Sequence, residues 1–325
     1  MPKKRPADER DGARARASKL PSRQRNHHLY LVQDDWEKGY SIHKFDLSSD
    51  SDSDSDGDHC PAASSLTERR LPPSVFRLEA LHAHSGLFAA FGNKIVATHH
   101  TPRRSALMFD VRTRALTFGP RHRYEPNYYG NAYAQVDGNL FVLDVDGNLE
   151  MLEPPPPTLS DEHAKLQTSR LSGSRGYFDP ELDAWIGFSG DPDNLGYLCA
   201  CEIVPAGDES NGGKPSLLKL GIDKMFCIDP AEKHIGATLV YMRGRSKFCL
   251  VECLSIDDRR EDIWGEFLSE RLRYFLRVTT FFQKYDKNGD LRTTAVHHQR
   301  IRSYRLPKMA TGYCDHLEKP VAFWM

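Results

Sequence analysis

Four of the seven cysteines come in two close pairs, Cys199/Cys201 in YLCACEIV and Cys249/Cys253 in FCLVECL. Four thiolates are the ligand set of a structural zinc ion. Zinc pairs, however, sit on turns, and these lie inside apolar strand-like runs, where cysteine packs as a small hydrophobe. The doublets His99-His100 and His297-His298 raise the metal question again. Adjacent residues of a strand point to opposite faces, so each doublet offers one imidazole to any given site. Residues Asp286-Lys287-Asn288-Gly289-Asp290 match the first, third and fifth positions of a calcium loop. Leu291 then stands where that loop needs glycine, and His297 where it needs a bidentate glutamate. A hairpin turn accounts for the run. The chain has no G-x-S-x-G elbow, G-x-G-x-x-G turn, H-E-x-x-H pair or phosphate-binding loop, and GDESNGGKPS misses the spacing of the last. No catalytic, cofactor-binding or metal-binding residue is assigned, and the expectation is a binding protein, not an enzyme.

The charged segments offer other chemistry. Residues 1–25 hold nine Lys/Arg and three Asp/Glu. With almost no large apolar side chains, residues 1–26 are expected to be a disordered basic tail. Its clusters, Lys3-Lys4-Arg5 and then Arg14, Arg16 and Lys19, suit the acidic groove of an import receptor, which makes the expected location nuclear or nucleocytoplasmic. Residues 48–58 read SSDSDSDSDGD. In this expected disordered loop (48–59), Ser49, Ser51, Ser53 and Ser55 each have Asp three residues on, the pattern of acid-directed phosphorylation. Residues 271–308 hold ten Lys/Arg against two Asp, with Tyr274, Phe275, Phe281, Phe282, Tyr285 and Tyr304 interleaved. Basic side chains with stacking aromatics are what single-stranded nucleic acid needs. The same pattern describes a half-buried strand with a charged outside, Arg300 and Arg302 on one face and Ile301 on the other.

The elements that would position these groups are nearly all strands. YSIHKF, KIVATHH, NLFVLDV, WIGFS, YLCACEIV, FCLVECL and RYFLRVTTFF are short and rich in β-branched or aromatic residues. Asp137-Gly138, Asp146-Gly147 and Asn288-Gly289 separate strands with the positive-φ residues that tight hairpins require. Helix is expected at most around 261–273 and as a weak turn near 161–167. An apolar residue followed by Asp recurs at Phe45-Asp46, Phe109-Asp110, Leu143-Asp144, Phe178-Asp179, Ile228-Asp229 and Tyr285-Asp286, at intervals of 34 to 64 residues. The carboxylate can accept backbone N–H groups two residues on, so each copy reads as the turn that ends a strand. Six copies suggest about six irregular sheet units, and radial repetition of small sheets gives an all-β propeller over 27–310. The remaining segment, 311–325, carries Val321, Phe323 and Trp324, apolar enough to dock on the fold and help close the ring. Scattered cysteines suit a reducing compartment. A net charge of −1 argues against global attraction to nucleic acid or membrane. The start of the chain has no apolar signal region, and no run is long enough to span a membrane as a helix.

In order along the chain, HLYLVQDDWEKGYSIHKFDL, LPPSVFRLEA, FAAFGNKIVATHH, LMFDVRTRALTFGPR and GDLRTTAVHHQRIRSYRL resemble a plant family of unknown function, the domain numbered 1668 and expanded in grasses. DVRTRALTFGP and YFDPELDAWIGF look like strand segments of kelch blades. The resemblance spans roughly 27–308 and implies a kelch-like propeller with no established activity. The chain departs from ordinary kelch repeats in lacking a Gly-Gly doublet in each blade, because Gly212-Gly213 falls in a polar stretch. No F-box-like helical segment precedes the blades. The expected function is therefore a non-catalytic scaffold for an unidentified protein partner, with no obligate oligomer implied. The alternatives are a propeller enzyme acting on a small molecule or glycan, and nucleic-acid binding through 271–308.

Overall fold

The computed structural model describes residues 27–47, 68–79, 87–98, 104–123, 131–136, 138–143, 147–152, 176–202, 218–227, 229–257, 272–294, 300–307 and 315–325. The chain begins with β1 (Leu29–Trp36) and β2 (Gly39–Phe45), passes through the short β3 (Arg69–Arg70) and enters β4 (Ser74–Glu79). A second sheet is the meander β5 (Phe88–Phe91), β6 (Lys94–Ala97), β7 (Ser105–Asp110) and β8 (Leu116–Arg121). The third has three strands, β9 (Ala132–Val136), β10 (Asn139–Leu143) and β11 (Leu149–Met151). The fourth runs β12 (Tyr177–Asp179), β13 (Ala184–Phe188), β14 (Tyr197–Glu202) and β15 (Leu218–Lys224). The fifth is built from β16 (Glu232–Tyr241), β17 (Lys247–Asp257), β18 (Leu272–Tyr285) and β20 (Arg300–Arg305), with β19 (Leu291–Thr294) hairpinned onto β18. A helical turn, α1 (Asp315–Glu318), leads into β21 (Val321–Trp324), which returns to the first sheet to give the order β21-β1-β2-β4. The five sheets form a five-bladed propeller arrangement.

All seven strand-like runs contain strands, but the blade number is five where about six were expected. The apolar-Asp copies mark turns, not blades. Asp110 Oδ1 accepts from the backbone N–H of Arg112 at 2.9 Å, Asp179 Oδ1 from Glu181 at 2.9 Å, Asp229 Oδ1 from Ala231 at 2.9 Å and Asp286 Oδ1 from Asn288 at 2.8 Å. Each bond is the expected two-residue reach. The copies fall after different strands of their blades, and the fifth blade holds two, one before β16 and one in the β18–β19 hairpin. Gly138, Gly147 and Gly289 have φ of +81°, +84° and +81°, as their hairpins require. Of the expected helices, 161–167 and 261–271 lie outside the described residues, and Leu272 and Arg273 begin β18 instead.

Central strands such as β14 and β17 are buried on both faces, which explains why they read as near-continuous apolar runs. Along β17, Phe248 and Leu250 join Ile186, Leu198 and Ala200 between the fourth and fifth blades, while Cys249, Val251 and Cys253 join Leu29, Leu31 and Ala322 between the fifth and first. Tyr30, Val32 and Ile42 meet Phe88, Ile95 and Phe109 between the first and second, and Val96 and Met108 meet Leu140 and Val142 between the second and third.

Three connections tie the fifth blade to the first. The final strand β21 pairs antiparallel with β1, Leu29 opposite Trp324 and Val32 opposite Val321, and His28 and Met325 exchange backbone bonds of 2.7 and 3.0 Å. Between β2 and β4 of the first blade, β3 crosses to pair in parallel with β20, Tyr304 opposite Arg69. Arg302 Nη1 on β20 donates to the carbonyl of Asp46 at 2.6 Å.

Candidate functional site

The crossing of β3 builds a site. From β20 the chain returns to β4 through Leu71, Pro72 and Pro73. Proline fixes its own φ and keeps the residue before it extended, so this strap is stiff. An open groove of about 470 Å³ lies along it, and Asp35, His43, Arg70, Pro72, Arg77 and Arg305 are among its lining residues. It draws on β1, β2, β4, β20 and the strap, and therefore spans the seam between the first and fifth blades.

His43 forms the base of the groove and is 4% exposed. Its Nδ1 lies 2.7 Å from the Pro72 carbonyl and its Nε2 lies 3.1 Å from Asp35 Oδ2. The Pro72 carbonyl can only accept, so Nδ1 is the donor in that contact. Burial pushes the Asp35 carboxyl up, but the hydrogen bond from His43 and the charges of His43 and Arg77 outweigh it and leave the group below the usual carboxylate range. Above this base, Arg70, Arg77 and Arg305 are exposed, and the Arg77 guanidinium lies 5.8 Å from the centroid of the Trp36 ring. Exposed guanidinium forks beside proline and leucine surface can grip carboxylate or phosphate groups on an extended segment.

A second polar cluster joins the fourth and fifth blades. Glu252 on β17 is 1% exposed and accepts from the Cys227 backbone N–H at 2.9 Å and from His234 Nδ1 at 2.8 Å. The His234 ring stacks on Phe226 with centroids 3.9 Å apart. Glu232 Oε2 accepts from the Cys227 thiol at 2.8 Å and from Arg277 Nη2. Burial, and hydrogen bonding to Glu232, push the Cys227 thiol above its ordinary value, so it is protonated and a poor nucleophile. The cluster fixes the β15–β16 connection onto the fifth blade. Its signal in the sequence was the carboxylate inside the apolar run FCLVECL, because a buried charge needs partners. Nothing local marked the groove, whose residues come from distant stretches of chain.

The import candidates Lys3, Lys4, Arg5, Arg14, Arg16 and Lys19, the phosphorylation candidates Ser49, Ser51, Ser53 and Ser55, and both histidine doublets lie outside the described residues. The cysteine pairs lie on β14 and β17, in different blades. Burial pushes the thiol of Cys199 up to about 11 and that of Cys249 up to about 12. Among the described residues no three His, Cys, Asp or Glu side chains converge as a metal site, and no helix is long and apolar enough to cross a membrane. Asp286 to Asp290 form a hairpin turn in which Asp286 also accepts from Arg292 Nε at 2.8 Å. Within 271–308 the alternation on β20 is the reverse of that expected: Ile301 is 40% exposed and Arg302 8%. The outer strand of this blade meets the first blade on its Arg302 face, and the guanidinium is taken up there by Asp46. Arg277 is likewise held inward by Glu232, so the basic residues of this stretch do not all share one outer face.

The family described as protein of unknown function (DUF1668) matches residues 26–153 and 173–302. The chain belongs to this family. The first stretch of the DUF1668 match covers β1 to β11, the first three blades apart from the closing strand β21, and the second covers the fourth blade and nearly all of the fifth. Beyond this family, no curated protein matches the chain.

Proposed function

We propose that the protein is a non-catalytic interaction scaffold whose seam groove docks an acidic segment of a protein partner. The observation that supports this reading is the convergence of exposed Arg70, Arg77 and Arg305 on one open groove above the His43–Asp35 pair. Blades packed against their neighbours make a rigid platform, and groups held on connecting segments of such a platform are suited to recognition. The kelch-like and plant character implied by the resemblance belongs to this proposal, as does a nuclear location reached through the basic clusters at Lys3–Arg5 and Arg14–Lys19. Phosphorylation of Ser49, Ser51, Ser53 and Ser55 would add acidic charge to the β2–β3 connection, which leads into the strap beside the groove.

The test is affinity purification of the full tagged chain from native extract after nuclease treatment, at two salt concentrations, beside the Arg70→Ala/Arg77→Ala/Arg305→Ala variant. The scaffold reading expects a stoichiometric protein that the wild type retains and the variant loses. Equal recovery by both chains, or recovery of nucleic acid alone, overturns it.

A further inference from the structure

The outermost strand of the fourth blade, β15, carries an apolar row on the surface. Leu218, Leu220 and Ile222 are 53%, 40% and 45% exposed. β15 is hydrogen-bonded to β14 on one side and ends its sheet on the other. Leu218 and Leu220 sit opposite Cys201 and Cys199 of β14, on the face turned from the fifth blade. None of the buried clusters among the described residues takes in Leu218, Leu220 or Ile222. Edge strands with an apolar row are templates for strand addition, and most are blunted by charge. The charges on β15 are arranged differently. Read as an antiparallel pair with itself about Gly221, LKLGIDK places Lys219 opposite Asp223, Leu220 opposite Ile222 and Leu218 opposite Lys224. Every opposed pair is complementary: ion to ion, apolar to apolar, and leucine to the aliphatic stem of a lysine.

We infer that β15 is a self-association edge that joins two copies of this chain through an antiparallel β15–β15 pair. The two-fold uses the same patch on both copies, so the assembly closes as a dimer and does not propagate. Lys219 lies 4.8 Å from the centroid of the Tyr285 ring and Asp223 Oδ2 accepts from the Thr293 backbone N–H at 2.8 Å, which holds both side chains on the face they need for pairing. A single seven-residue strand contributes a small interface, so the dimer is expected to be weak and concentration-dependent.

Sedimentation velocity on the full chain across the micromolar range tests this. The wild type is expected to pass from monomer to dimer as concentration rises. Leu220→Glu, at an exposed position, is expected to weaken the dimer at least about tenfold with unchanged thermal unfolding. Lys219→Asp and Asp223→Lys are each expected to be monomeric alone and to dimerise when mixed, because the mixed pair restores both oppositions. A wild type that stays monomeric, assemblies larger than two, or a dimer that survives Leu220→Glu each overturn the inference. If Asp223→Lys fails to fold through loss of its bond to Thr293, the Leu220→Glu comparison decides alone. None of these readouts involves the arginine groove, so the scaffold proposal stands or falls separately.

Discussion

The imidazole of His43 donates through Nδ1 to the Pro72 carbonyl, 2.7 Å away and 29 residues along the chain. This bond clips the strap to β2, beside the β2–β4 pairing that anchors its far end in the first blade, while β3 fastens its near end to the fifth. The groove keeps its shape because both ends are tied.

Replacing His43 with Ala removes that fastening and leaves Asp35 as a largely buried carboxylate without its imidazole. The expected loss is about 2 to 4 kcal/mol of stability, the range for breaking a buried charged pair on one side. Urea denaturation checks it. Weaker retention of an acidic partner is expected to accompany the loss, because the strap between Arg70 on β3 and Arg77 on β4 loses its hold on β2.

Acid is expected to act through Asp35. Its carboxyl is held below the ordinary value in the folded chain, so its stabilising contribution is present above the unfolded pKa and lost as pH falls through the folded one. Asp35→Asn is therefore expected to be less stable than the wild type at neutral pH, with the gap closing below about pH 4. Chemical denaturation across pH follows the difference, and a gap independent of pH would count against this assignment.

Gly236 is expected to tolerate no side chain. A Cβ there would stand 2.0 Å from the carbonyl oxygen of Glu318 and 2.3 Å from its carbon. Both are backbone atoms, so no rotamer change relieves the clash. Gly236→Ala must push α1 away and strain the pairing of β21 with β1. A loss of about 2 to 4 kcal/mol is expected, with limited proteolysis releasing the C-terminal residues sooner than in the wild type.

Burial of Cys199, Cys249 and Cys253 raises all three thiols, which predicts inert cysteines. Iodoacetamide at mildly alkaline pH is expected to leave these three unmodified in the native chain and to alkylate them in urea, as read residue by residue by mass spectrometry. Native labelling of Cys249 would mean that the interface between the fifth and first blades opens.

The sequence by itself determined the local chemistry. Strand character follows from β-branched and aromatic runs, and the Asp-capped turns from a reach of two residues, so both were readable at Asp110, Asp179 and Asp286. The buried cysteines were readable too, because an apolar run such as FCLVECL is incompatible with a zinc turn. Tertiary structure alone decided how many blades these strands make, since a turn signal does not say whether the next strand stays in its sheet or starts another. It also decided that Arg302 points inward and Ile301 outward. Alternation specifies two faces, and only the neighbouring blade specifies which one is covered. Arg70, Arg77 and Arg305 meet in one groove for the same reason: ring closure sets the first blade beside the fifth, and that contact is made between chain segments too far apart for any local pattern to encode.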